Sequence, residues 1–141
     1  MILLKPLDLC RFHWRGLTLG LWLAIAYLSL TPLPQLPAVP GSDKTHHFIA
    51  YAVLVIPITL QQPKGLVWYL LGFLGLSGLI ELAQPFVNRY GEWQDLFANA
   101  MGISIGWTLG QLFRYGEKYY NCSIASRDSP SRDSSSRDSH K

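Results

Sequence analysis

Four stretches of this chain contain no lysine, arginine, aspartate or glutamate: those between Arg15 and Asp43, Lys44 and Lys64, Lys64 and Glu81, and Asp95 and Arg114. A helix needs about 20 predominantly apolar residues to cross a hydrocarbon layer, and each interval supplies that length or nearly so. Hydrophobic residues make up 49% of the chain and charged ones 15%, so water is not its main solvent. The expected fold is an all-α integral membrane bundle of four transmembrane helices. It occupies 16–114, after a cytoplasmic segment 1–15 and before a disordered, Ser/Arg/Asp-rich cytoplasmic tail, 115–141.

The boundaries follow from residue chemistry. A basic segment with Lys5, Arg11 and Arg15 precedes the first apolar run, as in a signal peptide, but the run ends in Thr31-Pro32-Leu33-Pro34-Gln35-Leu36-Pro37 rather than at a small-x-small site. The first span is therefore expected to stay uncleaved. Prolines 32, 34, 37 and 40 lack the N–H a helix needs, so they predict a stiff link. Ser42 or Asp43 then caps a second helix running to about Leu60 through Pro57. A third runs from about Leu66 to Gln84, closed by Pro85, with Gly72, Gly75 and Gly78 thinning one side for a neighbouring backbone. The fourth begins at Gln94-Asp95 and carries Ala98, Gly102, Gly106 and Gly110 at intervals of four, a ridge of small residues for close packing. Three copies of a Ser-Arg-Asp-Ser unit follow from Ser126, with nothing apolar to bury.

A net charge of +3 does not point to nucleic acid, because the cations form neither a stripe nor an aromatic-interleaved patch. They sit at segment ends: Lys5, Arg11, Arg15, Lys64, Arg114 and Lys118 on one side of a four-span bundle, Lys44 and Arg89 on the other. The positive-inside rule puts both termini in the cytoplasm. Cys10 and Cys122 then lie on the cytoplasmic side, where a disulfide is not expected.

With that topology, Asp43, Lys44, His47, Tyr51, Glu81, Gln84, Arg89, Asp95 and Asn99 converge on the extracytoplasmic end. Charges at a bilayer edge are costly unless paired or used. The pattern Asp43-Lys44-x-x-His47-Phe48-x-x-Tyr51, then Glu81-x-x-Gln84, Arg89, and Asp95-x-x-x-Asn99-x-x-Gly102 resembles the VanZ-like family over roughly 40–112. The resemblance implies a small multi-pass bacterial protein of the cell membrane, of a kind sometimes associated with resistance to the glycopeptide teicoplanin.

Three readings of the cluster stand side by side. Lys44 and Arg89 suit the phosphate or carboxylate of an anionic lipid-linked or cell-wall component such as a peptidoglycan precursor, with Tyr51, Phe86 and Trp93 covering an apolar portion. His47 with Glu81 or Asp95 supplies the residue types for acid-base catalysis by an intramembrane hydrolase or transferase, although no nucleophile motif accompanies them. The third reading is structural: the charges pair among themselves and lock the helix tips. His47, Glu81 and Asp95 are also metal-ligand types, but adjacent His46 and His47 point about 100° apart on a helix. Their spacing matches no ligand signature, so the sequence assigns no metal and no cofactor.

Overall fold

The computed structural model describes residues 12–32, 42–89 and 91–127, and within them the chain forms four α-helices and no strand. They are α1 (Trp14–Leu30), α2 (Asp43–Gln61), α3 (Leu66–Ala83) and α4 (Trp93–Arg127), with a 3₁₀ turn, Gln84–Val87, after α3. Helix α1 stops where Thr31 turns extended ahead of Pro32, and the Thr31 hydroxyl donates to the Tyr27 carbonyl at 2.7 Å. Residues Cys10, Pro34, Pro37 and Pro40 and the repeats beyond Arg127 lie outside the described residues.

At the start of α2 the Ser42 hydroxyl accepts from the Thr45 amide at 3.3 Å, the cap expected from its side chain. Pro57 sits inside this helix, which runs on to a left-handed Gln62 (φ 49°). Gly65, at φ 79°, reverses the chain into α3; glycine holds that conformation at no steric cost. Pro85 converts the end of α3 into the 3₁₀ turn, and Asn88 in the left-handed region sends the chain towards α4.

The helices alternate in direction. His47 meets Asn99 near the starts of α2 and α4, and Gln62 meets Gln111 at the far end, so these two helices run parallel. Helices α1 and α3 run the opposite way, because Trp14 stacks edge-on with Tyr69 at their starts while Ser29 meets Gln84 at their ends.

Among the described residues the α2–α4 contact is the most extensive, and the small-residue ridge makes it close. A Cβ on Gly102 would land on the Phe48 carbonyl, one on Gly106 on the Ala52 carbonyl, and one on Gly110 within 2.6 Å of Thr59 Cγ2. The other glycine set behaves differently from its expected role. A Cβ on Gly72 or Gly75 would meet nothing within 4 Å, and one on Gly78 only Leu96 at 4.0 Å, because that side of α3 faces outward.

Tyr51, Leu54, Val55 and Ile58 of α2 form the core with Ile25 and Ile103. Outside it the usual distribution is inverted. Leu71, Leu79 and Leu82 of α3 are exposed, whereas Ser77 and Glu81 on the same helix are buried. Of the four helices, only α3 with its 3₁₀ extension, Leu66–Val87, is both long and apolar enough by composition to cross a membrane; α1 is apolar but has 17 residues.

The tail boundary expected at Arg114 is not where helix ends. Helix α4 has 35 residues and continues to Arg127. Beyond Gly116 no proline or glycine interrupts it, and Glu117, Lys118 and the tyrosines are compatible with helix. At 1.5 Å per residue it is about 52 Å long, well beyond the ~30 Å of a hydrocarbon layer.

Candidate functional site

The 3₁₀ turn and the alternating helix directions bring the polar residues to one end of the bundle. Asp43 and His47 lie one turn apart on α2, and Asp95 and Asn99 one turn apart on α4. Glu81 and Gln84 arrive from the end of α3, and Arg89 from the loop after it. Gly91 keeps that loop close, since a Cβ there would strike the Glu81 carbonyl.

Arg89 is buried, and its Nη2 donates to both Asp43 oxygens at 3.0 and 3.1 Å, while Nη1 donates to the Leu28 carbonyl at 3.0 Å. Lys44 pairs with Glu92 at 2.7 Å on the rim, both side chains being about half exposed. Gln84 is buried and donates to the Ser29 carbonyl. Part of the cluster therefore does lock helix tips: Arg89 joins α1 to α2, Gln84 joins α1 to α3, and Lys44 fixes the loop before α4.

The remaining residues lie deeper. His47, 6% exposed, places Nδ1 3.2 Å from Asn99 Oδ1. The Asn99 amide donates to Ser77 Oγ at 2.6 Å, so its oxygen is the end facing the imidazole. A neutral ring donating to that oxygen through Nδ1 keeps its lone pair on Nε2. Ser77 also meets the Tyr51 hydroxyl. Glu81 Oε1 lies 3.9 Å from His47 Nδ1, and the Glu81 carboxylate takes the Glu92 backbone N–H. Asp95 is 2% exposed, forms no ion pair among the described residues, and its Oδ1 is buried with no hydrogen-bond partner.

All nine residues expected at the site are thus at one end of the molecule, though in different roles. The two cations of the set, Lys44 and Arg89, already hold carboxylates. Phe86 and Trp93, expected as apolar cover, project outward at 89% and 87% exposure, and Tyr51 lies in the core below the cluster. Two partners were not expected. Ser77, fully buried, lies one turn before Glu81, a spacing that identifies it once Glu81 is known to face inward. Glu92 adds both the salt bridge to Lys44 and a backbone donor, and nothing in a loop sequence marks the latter.

A family model described as VanZ/LLP1 aligns with residues 8–114. No curated protein and no solved structure matches the chain.

Proposed function

The chain belongs to the VanZ/LLP1 family, and from that premise we propose that it is a multi-pass protein of the cell membrane whose polar cluster binds the phosphate-bearing head group of an anionic envelope lipid or cell-wall precursor. The observation carrying this reading is Asp95, whose carboxylate would accept from hydroxyl groups of the ligand while the phosphate lies at the rim beside the half-exposed Lys44. The Asp95 Oδ1 is buried without a hydrogen-bond partner among the described residues, and a buried polar atom left unpaired costs about 1–3 kcal/mol. Helix locking is provided by Arg89 with Asp43 and by Gln84 with Ser29, whereas Asp95 makes no ion pair among the described residues. A residue that costs stability without a local return is expected at a functional site.

The inverted surface supports the membrane placement. Apolar side chains face outward along α1 and α3 while the polar groups face in, as hydrocarbon solvent requires. The alternating helix directions fit four crossings with both termini on the side bearing Lys64, Arg114 and Lys118, the cytoplasm by charge. The cluster then faces the envelope, where a contribution to the teicoplanin response of some family members would arise.

The test is lipid retention. Protein purified in mild detergent and analysed by native mass spectrometry is expected to carry a phosphate-bearing lipid that Asp95→Asn loses. Equal retention by wild type and Asp95→Asn would refute the reading.

A further inference from the structure

We propose that Asp43, His47 and Asp95 bind a divalent first-row metal ion at this end of the bundle. Each offers one ligand atom, and the three atoms lie within 4.8 Å of one another. One imidazole nitrogen with two carboxylate oxygens is a donor set that suits Zn²⁺ or Mn²⁺. Donors about 2.1 Å from a tetrahedral ion stand roughly 3.4 Å apart, so closure needs a shift of about 1.4 Å at most, within reach of aspartate side-chain rotation.

Three further features point to a cation. The buried Oδ1 of Asp95 has no hydrogen-bond partner, so the group most in need of a positive ligand sits inside the triad. His47 has the outer-shell support that ligating histidines have: its Nδ1 is engaged by Asn99, which Ser77 holds in turn, so the other ring nitrogen is the one left for an ion. Finally, Asp43 is the outer member, its side chain 48% exposed, and provides the way in. Arg89 donates to both Asp43 oxygens, yet each carboxylate oxygen has two lone pairs, so Asp43 can serve the guanidinium and an ion together.

The inference uses the site of the proposed function but not its lipid. It also gives an anionic head group a second positive partner besides the rim Lys44, which is itself paired with Glu92.

The test uses full-length protein in detergent, delipidated and stripped with a chelator, and titrated with Mn²⁺ while the free-ion electron paramagnetic resonance signal is followed. One saturable site is expected, displaced by Zn²⁺, the stronger binder of the two. Asp95→Asn should weaken it at least tenfold, Asn99→Ala about tenfold through loss of ring orientation, and His46→Gln not at all. No saturable binding up to about 1 mM, or equal binding by Asp95→Asn, overturns the proposal. Should Asp95→Asn fail to accumulate, the wild type decides. Bound Mn²⁺ must show nitrogen modulation from an imidazole, and its persistence in His47→Gln would overturn the assignment. Metal binding without lipid retention would sink the lipid reading alone, and lipid retention without metal binding would sink this one alone.

Discussion

The Nη2 of Arg89 reaches both oxygens of Asp43 at 3.0 and 3.1 Å, joining the loop after α3 to the first turn of α2 across 46 positions of sequence. The guanidinium is buried and the carboxylate half exposed, so the pair is worth less than a fully buried one and more than a surface one. Arg89→Gln is expected to cost about 2 kcal/mol by removing this pair and the bond to Leu28. Chemical unfolding in detergent measures it; an unchanged midpoint would mean that the tips are held by other contacts.

The two glycine sets should respond in opposite directions. Gly106→Val puts a branched side chain against the Ala52 carbonyl and Val55, and should destabilise by 3 kcal/mol or more, in the upper range of core overpacking. Gly75→Ala meets nothing and should be neutral or stabilising by up to about 1 kcal/mol from helix propensity. Comparison of the two unfolding midpoints checks the assignment of α4 as the packing helix.

Why the first set could be recognised and the second could not is a matter of geometry. Gly102, Gly106 and Gly110 repeat every four residues on the helix whose polar head, Asp95 and Asn99, also points inward, so sequence gives both period and direction. Gly72, Gly75 and Gly78 repeat every three on an almost wholly apolar helix, where no polar residue near the glycines marks the inner face until Ser77 is seen beside Asn99. The same limit applies to the site. The types and level of Asp43, His47, Glu81, Arg89 and Asp95 follow from helix spacing and charge placement, but which carboxylate takes Arg89 depends on loop geometry. The 3₁₀ turn and left-handed Asn88 set that geometry, and among the described residues it leaves Asp43 paired and Asp95 without an ion pair. Helix α4 extends past Arg114 because the drop in hydropathy there brings no helix breaker after Gly116, and helix persists in polar sequence that lacks one.

His47 should exist as one tautomer. With Nδ1 donating to Asn99 Oδ1, ¹⁵N-resolved NMR of labelled protein is expected to show the Nδ1–H form when the ring is neutral, and Asn99→Ala should release it to a mixture. A predominant Nε2–H form in the wild type would reverse the assignment of the ring's free lone pair.

The topology has its own test. Reporter fusions after Lys64 and after Lys118 should read cytoplasmic, and one placed within 86–93 should read external, as the distribution of Lys and Arg requires. The opposite pattern would move the cluster to the cytoplasmic side and end the envelope reading.

The central claim is that Asp95 is kept for a ligand and not for the fold, and the unfolding free energy of Asp95→Asn in stripped, delipidated protein tests it most directly. The substitution keeps the shape and removes the charge of a buried carboxylate that has no hydrogen-bond partner at Oδ1. A functional Asp95 predicts a variant at least as stable as the wild type, within about 0.5 kcal/mol or above it. A loss of several kcal/mol, recovered when Arg89→Gln is added, would show that Asp95 belongs to a charge network locking the helices and would contradict the account.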